Sequence, residues 1–178
     1  MKKRVIFGFV AVLGLTGIAS VKGMHKQTVY APCHQTIGSL AYEIQLDKNH
    51  YLLNDTIRVH AKVTNVGTEP ITYHSGSSSC PLHIGVEIVN QESKLSLEGQ
   101  PIIKSACTTD DNNSELAPAQ TVEDDWTFYT PKKWRPSKIK NSYAGIYDVK
   151  VGLFPATSVF LSEQPERHED AMTQLTIE

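Results

Sequence analysis

The feature that most constrains the fold of this chain is a strict alternation of apolar and polar residues in short segments. It is clearest at 56–66, where Ile57, Val59, Ala61 and Val63 alternate with Arg58, His60, Lys62 and Thr64. A period of two is that of a β-strand, because successive side chains of a strand point to opposite faces of the sheet. We therefore expect a strand with its apolar residues in a core and its polar residues in water.

Segments of the same kind recur from residue 40 onward, separated by clusters of turn residues. The predicted strands are 41–46, 56–66, 71–74, 82–90, 120–130, 145–153 and 173–177, with 102–107 as a further short strand and 173–177 at a sheet edge. The segments 75–81 and 108–114 are predicted loops. Because no convincing helical period accompanies these strands, the sequence predicts an all-β fold, an immunoglobulin-like two-sheet β-sandwich. A closed β-barrel is the alternative.

The start of the chain has the pattern of an export signal. Lys2, Lys3 and Arg4 precede an uncharged apolar run from 5 to 19. Such a run of about 15 residues is typical of a signal peptide and is shorter than the roughly 20 residues that span a bilayer. Small residues allow cleavage after Ala19 or Gly23. We expect a signal peptide at 1–23, a polar N-terminal segment at 24–39 and one domain at 40–178, secreted or associated with the cell envelope and without a membrane span after cleavage.

The charge of the predicted mature chain argues against nucleic acid as a partner. The whole chain has 17 basic and 19 acidic residues, and four of the basic ones lie in 1–23, which leaves 13 and a net charge of −6. Proteins that bind nucleic acids carry a basic surface. We therefore expect a partner of another class.

Three cysteines lie in the predicted mature chain. In an oxidising compartment a pair of cysteines is expected to form a disulfide, and we predict Cys80–Cys107. This bond would close a loop of roughly 28 residues and stabilise the fold by about 3–4 kcal/mol. Cys33 is left over in the polar N-terminal segment, where a free thiol and a bridge to a second chain are both open.

The sequence offers little for metal binding or catalysis. Cys80 and His83 have a spacing seen in metal sites, with Cys33, His34 and His74 as further donors, but no second half of such a motif follows. The acids at 123–125 are consecutive on a predicted strand, so neighbouring side chains point to opposite faces. Motifs of hydrolases, metalloproteases and nucleotide-binding enzymes are absent from the sequence. We expect no metal, no cofactor and no enzymatic activity.

A cationic connection, defined as residues 131–142, is the strongest binding signal in the sequence. It combines basic residues with one tryptophan: Lys132, Lys133, Trp134, Arg135, Lys138 and Lys140. Such a segment could bind an anionic cell-wall polymer, lipid headgroups or an acidic protein surface. The alternative is a solvated loop whose Trp134 covers one end of the sandwich.

Two aromatic residues have predicted structural roles. Tyr147 follows Gly145 at the start of a strand, which resembles the tyrosine corner of sandwich domains, where the hydroxyl group binds nearby backbone. Trp126 lies on an alternating strand and is predicted to belong to the core, with an exposed binding platform as the alternative.

Three segments, taken in order, resemble one family of bacterial domains. K-V-T-N-V-G-T-E-P-I-T-Y at 62–73 is similar to a V-T-N-x-G-x-x-P-I hairpin, L-A-P-A-Q-T at 116–121 to L-x-P-G-Q-T, and A-G-I-Y-D-V-K-V at 144–151 to G-x-Y-x-V-x-V. With Trp126 and Phe128 they resemble the BsuPI family, immunoglobulin-like domains named for an intracellular proteinase inhibitor. The resemblance covers 40–178 and departs at Ala119, where the family usually has glycine, and in the predicted disulfide and signal peptide.

The resemblance implies a β-sandwich and, as an activity, inhibition of a protease by an exposed loop. The loops at 75–81 and 131–142 are the candidates. We therefore expect a secreted or surface-retained, non-catalytic binding module whose partner is a protein, such as an extracellular protease, or an anionic cell-wall polymer. The alternative is a structural or accessory protein of the cell envelope that is linked to a partner chain through Cys33.

Overall fold

A computed structural model of the chain describes residues 30–102, 107–130, 143–156 and 169–178. In these ranges the chain forms strands and turns and no helix. The predicted signal peptide, the cationic connection and most of the predicted strand 102–107 lie outside the described residues. The description below therefore concerns the β-structure that these ranges build.

The described ranges contain twelve strands. They are β1 (Cys33–Ile37), β2 (Leu40–Leu46), β3 (His50–Tyr51), β4 (Thr56–Asn65), β5 (Ile71–Ser77), β6 (Cys80–Pro81), β7 (Ile84–Asn90), β8 (Gly99–Pro101), β9 (Asn112–Leu116), β10 (Thr121–Tyr129), β11 (Gly145–Leu153) and β12 (Ala171–Ile177). Every segment predicted as a strand within the described ranges overlaps one of them, apart from residues 102 and 107.

The strands form three sheets. A five-stranded sheet has the order β1-β2-β4-β10-β8, a four-stranded sheet the order β3-β12-β11-β7, and a three-stranded sheet the order β6-β5-β9. All neighbours are antiparallel except β12 and β3. The order β2-β4-β10-β8 opposite β12-β11-β7 corresponds to the strand order of immunoglobulin constant-type sandwiches. The prediction of two sheets thus describes the two that enclose the core and omits the third.

The core lies between the five-stranded and four-stranded sheets. The inward positions predicted for β4, which are Ile57, Val59, Ala61 and Val63, are each at most 1% exposed. They meet a second row of buried side chains from β7, β11 and β12: Ile84, Val86, Ile88, Tyr147, Val149, Val151, Leu175 and Ile177. Burial of apolar surface between the sheets therefore holds the sandwich together.

The sheet begins earlier in the chain than the alternation predicts. Strand β1 lies in the segment predicted to precede the domain, and it pairs along its whole length with β2. The Gln35 side chain donates to the Met172 carbonyl (2.6 Å) and accepts from the Met172 amide (2.9 Å), so it joins β1 to β12 across the two sheets. The polar composition of β1 concealed this strand, because its stability comes from pairing and not from apolar alternation.

Two segments predicted as loops are partly strands, which corrects those predictions. Within 108–114, residues 112–114 belong to β9, which pairs with β5 at the edge of the three-stranded sheet. Within 75–81, the end of β5 and all of β6 form a tight hairpin. Both segments are rich in asparagine and serine, which have low strand propensity, and pairing with neighbouring strands overrides that preference.

The sequence predicts that the last strand lies at a sheet edge. The structure corrects this, because β12 lies between β3 and β11. Strand β12 pairs with β11 on one side, and its end at Thr176 and Ile177 pairs with β3 in parallel on the other. Strand β3 has only two residues, which is too short for an alternating pattern to reveal. This parallel contact binds the C-terminal end of the chain into the sheet.

Two of the sequence motifs meet at the buried side chain of Asn65. Its Nδ2 donates to the carbonyls of Glu69 and Leu116, both at 2.8 Å, and its Oδ1 accepts from the Gly67 amide at 2.9 Å. The Ala119 amide donates to the Asn65 carbonyl at 2.8 Å. Asn65 therefore fixes the β4–β5 turn against the entry to β10.

Candidate functional site

The outer face of the five-stranded sheet carries an open groove of about 730 Å³. Its floor is formed where β4 and β10 pair, since Arg58 lies opposite Thr127 and His60 opposite Asp125. These residues point outward because the alternate positions of both strands fill the core. The groove is lined by Gln45, Leu46, Asp47, Thr56, Arg58, Val59, His60, Ile102, Asp125, Trp126, Thr127 and Tyr129.

His60 is held on the groove floor by two acidic side chains of β10. Its Nδ1 lies 2.9 Å from Asp125 Oδ1, and its Nε2 lies 4.0 Å from Glu123 Oε2. The imidazole is about one-third exposed, whereas both carboxylates are more than half exposed. The hydrogen bond to Asp125 fixes the ring orientation and occupies part of the hydrogen-bonding capacity of that carboxylate.

Asp47 is engaged within the protein, although it lines the groove. Its Oδ1 accepts hydrogen bonds from the Arg58 amide (2.9 Å) and from the Tyr51 hydroxyl (2.7 Å). Among the described residues, the guanidinium of Arg58 has no partner in an ion pair, and the residue is exposed. Arg58 therefore offers a ligand a guanidinium that no described ion pair occupies, beside the carboxylates of Asp47 and Asp125.

One rim of the groove is apolar and exposed. Tyr129 is 52% exposed and Ile102 is 54% exposed. The Ile102 amide donates to the Asp125 carbonyl at 2.8 Å, and the Tyr129 hydroxyl accepts from Gln100 Nε2 at 3.4 Å. Hydrogen bonds thus hold the Ile102 backbone and the Tyr129 hydroxyl at the edge of the groove.

Tyr129 and Arg58 are diagonal neighbours on this face. Tyr129 is opposite Thr56, two positions before Arg58 on β4. Diagonal side chains of this length can reach each other across paired strands. The groove therefore offers a flat ring, a cation and a row of hydrogen-bonding side chains in one line, which is suited to binding an extended, polar ligand.

The inner side of β10 carries a half-buried carboxylate, Asp124, between the two sheets. Asp124 Oδ2 accepts hydrogen bonds from the amides of His83 and Ile84, both at 2.7 Å, and Trp126 Nε1 donates to the Ile84 carbonyl at 3.0 Å. Burial raises the pKa of the Asp124 carboxyl, and the two amide donors partly offset this rise. We name Asp124, Trp126 and Ile84 the inter-sheet clamp, because they join β10 to the start of β7.

The acidic run at 123–125 behaves as the sequence predicts. Glu123 and Asp125 point outward to His60, whereas Asp124 points inward. Trp126 packs against the core and stacks on Phe128, with ring centroids 5.9 Å apart. The sequence predicts that Trp126 belongs to the core; it is instead partly buried against the core and also lines the groove.

The predicted disulfide Cys80–Cys107 is confirmed, with Cα atoms 5.2 Å apart. It joins the β5–β6 hairpin to the segment that leads into β9. The hairpin tip is further held by Asp110, which accepts from the Ser78 amide at 2.9 Å and from the Asn112 side chain at 2.7 Å. These bonds lower the pKa of Asp110, and its hydrogen bond with Thr108 is the largest cause.

Cys33 points inward from β1 instead of lying on a separate polar tail. It packs against the core, and its Sγ lies 4.0 Å from the Met172 carbonyl. The thiol is half-buried and free. The thiol is therefore partly covered by β12, and a bridge from Cys33 to a second chain stays a prediction.

Tyr147 has the geometry predicted for it. Its side chain is fully buried, and its hydroxyl donates to the Tyr143 carbonyl at 2.7 Å. Burial raises the pKa of the Tyr147 phenol. This tyrosine corner ties the start of β11 to the chain that enters it.

The sequence-predicted binding residues Lys132, Lys133, Trp134, Arg135, Lys138 and Lys140 lie outside the described residues. Sequence reasoning did not identify the groove. It placed Arg58 and His60 on the outer face of a strand and distinguished the directions of 123–125, but it could not give the register of β4 with β10. That register is what brings His60 to Asp125.

The described residues contain neither a membrane-spanning helix nor a cluster of metal-binding side chains. No helix in this part of the chain has the length and apolar composition needed to cross a membrane. Within the same ranges, no group of three or more histidine, cysteine, aspartate and glutamate side chains is placed to hold a metal ion. Cys80, one of the donors considered from the sequence, is taken up by the disulfide.

Comparison with known proteins gives distant structural likeness alone. No model of a known protein family matches this sequence, and no curated protein matches it. The CARDB domain of the PF1109 protein from Pyrococcus furiosus, solved in complex with di-metal ions, has a TM-score of 0.37 and 12% identity, covering 80% of this chain and 97% of that one. Spo0M, a sporulation control protein from Bacillus subtilis, has a TM-score of 0.39 and 11% identity, covering 80% of this chain and 50% of that one. At these scores neither likeness carries an argument about function, and the BsuPI resemblance stays a prediction.

Proposed function

We propose that this chain is an exported, non-catalytic binding module that holds its partner in the groove on the outer face of the five-stranded sheet. The observation that carries this proposal is the combination, in one groove of about 730 Å³, of an exposed ring, a guanidinium without an ion pair among the described residues, and a fixed row of polar side chains. Sites that bind ligands combine apolar contact surface with a few placed polar groups.

The rigidity of the groove supports a binding role. Its floor lies on β4 and β10, which pair over nine consecutive positions, from Thr121 opposite Thr64 to Tyr129 opposite Thr56. Side chains on paired strands keep their relative positions, so a ligand can bind without first ordering a loop. The inter-sheet clamp supports the same strand from the inner side.

Export is part of the proposal and is supported by two features. The basic and apolar pattern at 1–23 is typical of a signal peptide, and the Cys80–Cys107 disulfide suits an oxidising compartment. Fractionation of cells that produce the tagged chain would test this. We expect the chain in the medium or the envelope, with the signal peptide removed after Ala19 or Gly23.

A matched pair of variants tests the role of the groove. Tyr129→Ala removes the exposed ring of the groove, whereas Ile146→Ala removes a similarly exposed side chain (48%) from the outer face of the four-stranded sheet. We expect Tyr129→Ala to lower the fraction of protein retained by isolated bacterial envelopes and Ile146→Ala to leave it unchanged. Equal retention of both variants and of the unmodified chain would exclude the groove.

Proteinase inhibition is a second, finer proposal, and one observation favours a particular segment for it. The tip of the β5–β6 hairpin, Ser78 and Ser79, is exposed while the disulfide and Asp110 hold it in place. A braced, exposed segment is what a protease inhibitor needs to resist cleavage. Assays of the purified chain against extracellular serine proteases test this, and the absence of inhibition at micromolar concentration would dismiss it.

A further inference from the structure

Strand β12 has an edge, on the side of β3, that another strand can join. The strand (Ala171–Ile177) contains no charged residue and no proline. Among the described strands, β3 pairs with this edge only at Thr176 and Ile177. Natural proteins protect strand edges with charges, prolines, bulges or covering segments, because an exposed uncharged edge pairs with other chains. The part of the β12 edge beyond β3 therefore needs a cover of another kind.

The side chain of Gln35 provides that cover. In an extended strand, the amide and carbonyl of every second residue point to the same edge. The Thr176 amide donates to the Asn49 carbonyl at 2.8 Å, so the backbone groups of Met172 face this edge too. Gln35 binds both of them, because its Nε2 donates to the Met172 carbonyl at 2.6 Å and its Oε1 accepts from the Met172 amide at 2.9 Å. The side-chain amide thus makes the pair of hydrogen bonds that a neighbouring antiparallel strand makes.

The position of Gln35 is fixed by its own strand. Strand β1 belongs to the five-stranded sheet and pairs with β2 along its whole length, with Gln35 opposite Tyr42. The Tyr42 side chain is buried in the core. The core of the sandwich therefore supports the pair of strands that carries the cover. Separation of β1 from β12, or replacement of Gln35, would uncover the Met172 backbone.

We propose that Gln35 blocks the edge of β12 against pairing with a second copy of this chain. Two antiparallel strands related by a twofold axis make identical contacts, so an open edge is complementary to the same edge of another copy. Without the cover, the four-stranded sheets of two copies join through β12 into one continuous sheet. This surface is separate from the groove and is independent of the function proposed for the groove.

Gln35→Met tests the block with little disturbance, because methionine keeps the length of the side chain and removes both hydrogen bonds to Met172. Sedimentation equilibrium of the mature chain should give a monomer for the unmodified protein and a monomer–dimer equilibrium for Gln35→Met. Hydrogen exchange of the β12 backbone, measured by mass spectrometry at a dilution where the variant is monomeric, should be faster by about tenfold. Gln35→Ala is the second variant, with the same expected result.

Two further variants identify the surface. Thr36→Ala changes the next, exposed residue of β1, whose side chain points to the opposite face of the sheet, and should leave the protein monomeric. Met172→Glu, added to Gln35→Met, places a charge beside the edge of each copy and should restore the monomer. The Met172 side chain is 49% exposed, so this change is compatible with folding. Thermal melting of each variant establishes that the fold is intact.

Two results would overturn the proposal. Equal association of the unmodified chain and of Gln35→Met, whether both are monomers or both are dimers, would show that Gln35 does not block pairing. Association of Gln35→Met that persists after Met172→Glu is added would place the contact elsewhere on the chain. A dimer of Gln35→Met that reverts to a monomer in the double variant is the result that the proposal requires.

Discussion

Ala119 shows how a single residue departs from the pattern that its surroundings require. Its φ is +63°, in the left-handed region where a Cβ atom is unfavourable, at the turn that leads into β10. The BsuPI-like motif has glycine at the corresponding position, which carries no such cost. The backbone conformation gives a physical reason for the glycine of the motif and predicts that alanine is strained here.

We therefore expect Ala119→Gly to stabilise the chain. Relief of left-handed strain contributes about 1–2 kcal/mol, and the added freedom of glycine in the unfolded chain offsets about 0.5–1 kcal/mol of it, so the net gain is about 1 kcal/mol. The measurement is the free energy of unfolding in urea. Ala117→Gly, at a nearby position without positive φ, should instead destabilise the chain. Loss of stability in both variants would refute the strain argument.

Asn65 is the residue whose removal should cost most at this turn. Without its side chain, the Gly67 amide and the carbonyls of Glu69 and Leu116 lose their partners in or near the core. Unsatisfied buried groups are expensive, so Asn65→Ala should destabilise the chain by about 3 kcal/mol. Thr68→Ala, in the exposed part of the same turn, should change stability by less than about 0.5 kcal/mol in the same unfolding experiment. Similar small effects in both variants would show that Asn65 is dispensable.

Among the elements, those with a long apolar alternation could be predicted from the sequence and those held by pairing could not. Strands β4, β10 and β11 combine alternation with branched or aromatic residues, which fixed both their existence and their faces. Strand β9, with its polar sequence, forms because β5 supplies a hydrogen-bonding partner. An alternating pattern detects a strand only when one face of that strand is buried. An exposed edge strand has few buried side chains, so its sequence shows no such pattern.

The inter-sheet clamp is an element-level feature with a testable dependence on pH. Burial raises the folded-state pKa of Asp124 above its usual value of 3.8. The folded state therefore holds this proton more tightly than the unfolded chain does, so the resulting stabilisation is present below pH 3.8 and is lost as the pH rises through the folded-state pKa. Asp124→Asn keeps an oxygen acceptor without the charge and should remove this part of the pH dependence.

Asp124→Ala should behave differently, because it leaves the amides of His83 and Ile84 without an acceptor. We expect it to destabilise the chain by about 2–3 kcal/mol at neutral pH, while Asp124→Asn stays within about 1 kcal/mol of the unmodified chain. Urea unfolding of the three proteins across acid and neutral pH measures both effects. A parallel pH dependence in all three would show that Asp124 does not contribute to it.

The whole molecule is a sandwich whose core contains several buried phenols, and this makes it sensitive to alkali. Burial raises the pKa of Tyr42 to about 12 and raises those of Tyr51, Tyr73 and Tyr147 as well. The folded state thus favours the protonated phenols, so their contribution to stability is complete below pH 10 and is lost as the pH rises toward 12 and above. We expect unfolding and the absorbance change of tyrosinate to occur together in this range. Ionisation of these tyrosines with the fold intact would contradict it.

At this scale the sequence could predict the β-class, the disulfide and the inward faces of the main strands. It could not predict the third sheet, which depends on short pairings such as β5 with β6, or the groove, which depends on the register between β4 and β10. Arg58, His60 and Asp125 are far apart in the chain, and pairing alone places them on one face. The sequence could therefore predict that these residues are exposed, but it could not predict that they lie close together on one face.

The central claim is that the outer face of the five-stranded sheet is the binding surface. Hydroxyl-radical footprinting of the mature chain, with and without a mixed polymer extract of bacterial envelopes, tests it most directly. The account predicts that Tyr129 and His60 become protected while Met172, exposed on the outer face of the four-stranded sheet, stays equally reactive. Protection of Met172 with Tyr129 and His60 unchanged would contradict it.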